Sequence, residues 1–417
     1  MPSPSKTKRP PNPSAIDFDR TPFVAIWETT RACDLACRHC RAEAIPRALP
    51  GELTTEEGFS LLDQLAQMGT PICVLSGGDP AKRADLCELI RHGSSTGMRM
   101  ATIPAATRLL TRELVHNLKQ AGLDQMALSL DGPSAEVHDA FRNTAGTFER
   151  TIQGARYARQ EGLPLQINTS LSATNFEHFD AMARLVKELG VVFWEVFFLV
   201  PMGRGREVTQ LNALQYEELF AKLAEFASQV DFIVKITEAP HYRRYLMQHR
   251  QIRLQAPDGK ERKMGHPGHS GNGHPHGVPG AGSRAGPKRT GPARPPAHMT
   301  RDFGPGGSIG LAPKGVNSGK GHLFVSYCGD ICPSGFLPLT CGNIRRDNLA
   351  DVYRRHKVFR ELRSPQLLKG RCGICQFRHI CGGSRARAYA MKGDYLAEEP
   401  FCAYDPAVGS SQLAVGS

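Results

Sequence analysis

Apolar residues between positions 21 and 240 follow two alternating patterns. Short continuous apolar runs occur at Phe23–Trp27, Ile72–Leu75, Met98–Ile103, Met126–Leu130, Leu165–Leu171 and Trp194–Val200. Continuity, rather than strict alternation with polar residues, marks strands covered on both faces, the pattern of a parallel sheet between helices. Between the runs the apolar spacing becomes helical. Thr54-Thr-Glu-Glu57 reads as a capping box, after which Phe59, Leu62, Leu65 and Ala66 fall on one face. Thr111 stands before Leu114, Val115, Leu118 and Ala121 in the same way, and 176–189 is a third amphipathic helix. Six strand–helix units in series predict an α/β fold, either an open doubly wound sheet or an incomplete barrel. Both put chemistry at the C-terminal ends of the strands. Asp231–Pro240 reads as a further strand leading out of this unit.

The pattern then breaks. Residues 249–320 are rich in Gly, Pro, Lys, Arg and His and poor in aliphatics, which predicts a disordered insertion. Its His266, His269, His274, His276 and His298 offer a metal no fixed geometry. Beyond it, His322–Tyr327 and Ile331–Leu339 predict a hairpin turning at Gly329-Asp330, followed by a helix from about Leu349 to Arg363. The expected organisation is a tail (1–20), a core (21–245), an insertion (246–321) and a small cysteine-rich domain (322–417).

Composition narrows the function classes. At 40% hydrophobic and 22% charged residues the chain has an ordinary globular balance. Its most apolar run, Val191–Val200, is interrupted by Glu195 and too short to span a membrane. Residues 1–14 lack the apolar core of a secretion signal, so a cytoplasmic protein is expected. A net charge of +12 invites a nucleic-acid partner. However, ten Lys/Arg against two Asp/Glu fall between Arg250 and Arg301, inside the expected insertion, so nucleic acid is not expected.

The twelve cysteines do not predict disulfides in a reducing compartment. Cys33, Cys37 and Cys40 follow the first strand, and Cys372, Cys375, Cys381 and Cys402 gather near the end. Clustered thiolates suit iron–sulfur clusters or zinc. Three thiolates leave one iron of a four-iron cube open, whereas zinc would need a fourth ligand, for which His39 is the local candidate. The later four cysteines suffice for a closed cluster or for zinc. Cys73 and Cys87 read as small buried apolar residues.

The C-x3-C-x2-C spacing, with the aromatic His39 before the last cysteine, in the loop after strand one of a strand–helix array, resembles the radical S-adenosylmethionine (SAM) superfamily. The resemblance spans residues 21–240 and implies a partial (β/α)6 TIM-like barrel. It implies a [4Fe–4S] cluster on Cys33, Cys37 and Cys40 whose open iron chelates SAM. Reductive cleavage of SAM then yields a 5′-deoxyadenosyl radical that abstracts a substrate hydrogen. Ser76-Gly77-Gly78-Asp79-Pro80 resembles the family's GGE motif, with Asp79 for Glu. Ser129, Asp131, Arg142 and Asn168 are the other SAM contacts that the resemblance implies. Leu199–Gly205 follows strand six, where backbone would approach the adenine.

The C-x2-C-x5-C…C pattern from Cys372 to Cys402 resembles the SPASM extension and implies an auxiliary [4Fe–4S] cluster. Arg385 stands where the fuller pattern has a cysteine, and Cys328, Cys332 and Cys341 supply only three thiolates for a further cluster. Cys381-Gly-Gly-Ser-Arg-Ala-Arg-Ala388 and Pro333-Ser-Gly-Phe-Leu-Pro338 resemble the haem-associated branch. That implies a tetrapyrrole substrate, with Arg204, Arg385 and Arg387 as candidate propionate partners, and a reductant such as ferredoxin or flavodoxin. A peptide-modifying maturase and a non-catalytic iron–sulfur or zinc module are the alternatives.

Overall fold

The structure, a computed structural model, describes residues 16–255, 312 and 315–407. The five histidines of the expected insertion lie outside these residues. Seven parallel strands run across one sheet in sequence order: β1 (Val24–Glu28), β2 (Ile72–Ser76), β3 (Arg99–Thr102), β4 (Gln125–Ser129), β5 (Leu165–Leu171), β6 (Phe193–Phe198) and β7 (Ile233–Thr237). Successive side chains on a strand point to opposite faces. Trp27, Leu75, Leu128, Ile167 and Trp194 turn outward into the core shared with the helices and are wholly buried. The alternate positions face inward, including Glu28, Ser76, Ser129, Asn168, Glu195 and Thr237. The sheet does not close, and among the described residues β7 pairs with β6 alone. This is the partial barrel of the expectation, with one more strand. One end of its interior is filled by Ile16, Phe18, Phe23, Ile72, Val74 and Ala101.

The helix signals hold at the level of single bonds. Thr54 Oγ1 accepts from Glu57 N at 3.2 Å while Glu57 Oε2 accepts from Thr54 N at 2.9 Å, the reciprocal capping box. Thr111 Oγ1 caps the helix Arg112–Gln120 through Leu114 N. The helix Thr55–Gln67 lies so near β1 that a Cβ on Gly58 would meet the Trp27 ring at 2.6 Å. The helix expected over Leu349–Arg363 is two helices, Leu349–Arg355 and Lys357–Leu362. His356 breaks it, with extended backbone and a ring nitrogen that caps the second piece.

The C-terminal unit is less separate than expected. Its hairpin, β8 (His322–Val325) and β9 (Asp330–Cys332), continues the barrel sheet. β8 pairs parallel with β1, from Val24 opposite His322 to Trp27 opposite Val325, and the two-residue β10 (Gly342–Asn343) pairs with β9. The helix Tyr242–Gln255 runs past residue 246, where the insertion was expected to begin. Among the described residues no helix is long and apolar enough to cross a membrane.

Candidate active site

The loop after β1 carries Cys33 and Cys37, both buried, and the half-buried Cys40. Neighbouring strand ends pin it. Gly78 N donates to Thr30 O and Asp79 N to Ala32 O, each at 2.7 Å. A Cβ on Gly77 would sit 2.6 Å from Thr30 O, and one on Gly78 2.5 Å from Ala32 O, so only glycine permits this approach. Asp79 is wholly buried. Its Oδ1 accepts from Ala81 N and Ala105 N at 3.1 Å, and its Oδ2 accepts from Thr107 Oγ1 at 2.9 Å. The side chain therefore joins the loops after β2 and β3.

The segment after β6 straps the same loop. Arg204, expected at an acidic substrate, instead donates from Nε to Cys37 O at 2.9 Å and from Nη1 to Ala44 O at 3.2 Å. Its amide donates to Cys40 O at 3.1 Å, and a Cβ on Gly203 would lie 2.6 Å from Cys40 O. Two of its guanidinium nitrogens thus hold the cysteine loop, while Nη2 is buried without a partner.

Arg142 spans the remaining side. Its Nη2 is 2.5 Å from Asp131 Oδ2 and its Nη1 3.7 Å from Cys37 Sγ. Asp131 is buried just past β4; its Oδ1 accepts from Ser170 N at 2.7 Å, and its own amide donates to His138 Nδ1 at 3.1 Å. Ser129 and Asn168 are register partners on β4 and β5, and Asn168 Oδ1 accepts from Gln166 Nε2 at 2.6 Å. Burial pushes the Cys33 thiol up to about 12, with Asp79 and the neighbouring cysteines adding to the rise. Burial also raises Cys37, and Arg142 opposes it. Thiols so placed stay protonated at neutral pH and release protons when a metal binds. His39 stacks on Phe141 with ring centroids 4.4 Å apart, and burial holds it well below its usual range. Among the described residues no three His, Cys, Asp or Glu side chains converge on a single point.

The four C-terminal cysteines line one cavity, together with His241, Arg244 and Arg378. Gly383 N donates to Cys381 Sγ at 3.4 Å and Glu399 N to Cys372 Sγ at 3.3 Å. Burial pushes Cys381 up to about 12 and Cys402 up to about 11. His241 is wholly buried with neither ring nitrogen paired. Four thiols, amides already aimed at sulfur, a buried donor without an acceptor and adjacent guanidiniums fit an anionic iron–sulfur cluster. The other three cysteines are not drawn together. Cys332 and Cys341 adjoin across the ladder, while Cys328 Sγ turns to Ser326 and Asp330.

Two expected propionate partners have other work. Arg385 is buried and donates to Tyr395 O at 3.0 Å and Ala397 O at 2.7 Å. Arg387, wholly buried, pairs with Glu399 at 3.1 Å and donates to Phe198 O, Leu199 O and Glu238 O. It fastens the cysteine unit to the ends of β6 and β7. Sequence reasoning also passed over Glu28 and Arg41, an ion pair at 3.2 Å beside the cysteine loop. The available signal was a carboxylate closing an otherwise apolar strand.

The sequence profile of the radical SAM superfamily matches residues 27–186. The AdoMet-dependent heme synthase of Methanosarcina barkeri is 37% identical over 94% of this chain and 99% of its own length. That of Oleidesulfovibrio alaskensis is 36% identical over 92% of this chain and 87% of its own. Streptococcus suis SuiB, solved with S-adenosylmethionine bound, superposes with a TM-score of 0.62 at 15% identity, over 92% of this chain and 78% of SuiB. With this geometry and these relatives, the chain belongs to the radical SAM superfamily and is an enzyme of SAM and an iron–sulfur cluster.

Proposed function

We propose that the chain removes hydrogen from side chains of an iron tetrapyrrole in haem formation. The observation that carries this reading is the extent of the likeness to the two haem synthases, which runs through barrel and cysteine unit alike. The peptide-modifying alternative has weaker support, a PqqA peptide cyclase 25% identical over 92% of this chain and the likeness of fold to SuiB. When bound, the cluster supplies one electron and SAM the radical that takes the hydrogen.

The chain's residues hold these groups in place. Cys33, Cys37 and Cys40 ligate the SAM-binding [4Fe–4S] cluster, with Arg142 beside Cys37 holding the loop against Asp131. The backbone of Gly77 and Gly78 receives the SAM amino group, and Asp79 keeps that backbone in place. Ser129 and Asn168, on the inner face of β4 and β5, take SAM's polar edge. Cys372, Cys375, Cys381 and Cys402 hold an auxiliary [4Fe–4S] cluster. A small reductant such as ferredoxin or flavodoxin delivers the electron.

The test is anaerobic reconstitution followed by dithionite and SAM. 5′-Deoxyadenosine is expected, with Cys33→Ala abolishing it. Iron coproporphyrin III, an iron porphyrin with carboxylate side chains, should raise its yield. Iron content should be about eight per chain. An absence of 5′-deoxyadenosine, or a yield indifferent to the tetrapyrrole, overturns the reading.

A further inference from the structure

We infer that Arg41, with the rings of Phe197, Phe324 and Phe336, forms the receptor for a flat aromatic ligand bearing carboxylates, Arg41 taking one carboxylate. The inference rests on the tetrapyrrole reading above and deepens it. Arg41 is the residue after Cys40. Its guanidinium carbon lies 4.7 Å from the Phe324 ring centroid and 6.0 Å from that of Phe336. Among the described residues its ionic partner is Glu28 alone, at 3.2 Å, and its side chain keeps 20% of its surface exposed. A guanidinium carries five N–H donors in a fork that fits a carboxylate with two parallel bonds. Arg385 and Arg387 are committed to partners within the protein, and the one unpaired nitrogen that Arg142 and Arg204 each keep is buried. Arg41 retains unused donors where the cysteine loop meets the barrel interior.

The aromatic part comes from three elements. Phe324 on β8 stands opposite Ile26 of β1, on the inner face with Glu28. Phe197 on β6 alternates with the outward Val196 and Phe198, so it also points inward. Phe336, in the loop after β9, brings its ring to 6.3 Å from that of Phe197. Phe197 and Phe336 are half-buried and keep ring surface free for a planar partner, which aromatic faces favour by offset or edge contact. Gly335 lets this loop close over Arg41, since a Cβ there would lie 2.9 Å from the guanidinium carbon and 3.0 Å from the Phe324 ring. The C-terminal hairpin thus builds one wall of the receptor and the barrel the other.

The test uses the reconstituted full-length chain, titrated by absorbance with iron coproporphyrin III and with its tetramethyl ester. Arg41→Met is expected to weaken the free acid by about 10- to 100-fold, the scale of a charge-assisted pair. The same substitution should leave the weaker-binding ester unchanged. Gly335→Ala keeps every charge but displaces the guanidinium, and should weaken the acid in the same sense. It carries the test if Arg41→Met fails to retain iron. Phe336→Leu should weaken acid and ester alike. Acid binding unchanged in both Arg41→Met and Gly335→Ala, at wild-type iron content, overturns the role of Arg41 while leaving the tetrapyrrole reading standing. A wild-type chain that binds neither compound overturns both.

Discussion

At the scale of single residues, burial decides the electrostatics. His138 and His322 are both held neutral, pushed down to about 4 chiefly by burial. Each has one ring nitrogen engaged, His138 by the Asp131 amide and His322 by Pro333 O at 3.1 Å. The unfolded chain binds protons at these groups near pH 6.5 and the folded chain only near 4, so their stabilisation is complete above 6.5 and declines as pH falls. Each should cost about 1.4 kcal/mol of stability per pH unit inside that window. Urea midpoints at pH 7 and pH 5 should show the fall. His138→Asn, whose Oδ1 can replace the accepting nitrogen, should make it shallower, and an equal fall in that variant would exclude His138 as a source. The cysteine sets were legible in the sequence because their spacing is local. The duties of Arg204 and Arg387 were not, because they bond to carbonyls far away in sequence. Arg387 reaches Phe198 O, 189 positions distant.

At the scale of elements, the cysteine loop is held by a small apolar cluster of its own, Cys33, Leu35, Cys37 and Ala44, and by loops from other strand ends. The strand–helix rhythm was readable because continuous apolar runs and capping residues are short-range signals. The break at His356 was not, since apolar spacing continues across it and only the local backbone changes. The strap from β6 gives a prediction. Arg204→Met removes two hydrogen bonds to loop carbonyls without touching a cysteine. Iron should leave the SAM-binding site faster, read as accelerated bleaching with a chelator, while affinity for iron coproporphyrin III stays within about twofold. A weakened tetrapyrrole affinity with iron retention unchanged would instead restore Arg204 as a substrate contact. Gly78→Ala should be harsher, because the added Cβ meets backbone rather than a side chain that can swing away. Little iron should be incorporated, and wild-type iron content in that variant would contradict the close packing.

At the scale of the whole molecule, the cysteine unit and the barrel share one sheet. Pattern reasoning found the hairpin, though its second strand is Asp330–Cys332 rather than Ile331–Leu339, and had no means of finding its partner. The parallel pairing of β8 with β1 joins residues about 300 apart, and a hairpin signal describes only contacts within itself. The joint is also locked at its far end by the buried Arg387–Glu399 pair, whose guanidinium reaches the carbonyls that close β6 and β7. Removing one partner of a buried pair leaves the other charge uncompensated, typically at about 3–5 kcal/mol. Arg387→Met should therefore lower the urea midpoint of the barrel as well as loosen the auxiliary cavity. A chain ending at Gln255 should fare worse. It loses β8, exposes the β1 edge beside Trp27 and leaves that strand free to pair with other chains. Aggregation of this truncated chain on expression is the expected outcome. If it instead stayed monomeric and took up about four irons, the barrel would be an independent folding unit and the shared sheet only a docking contact.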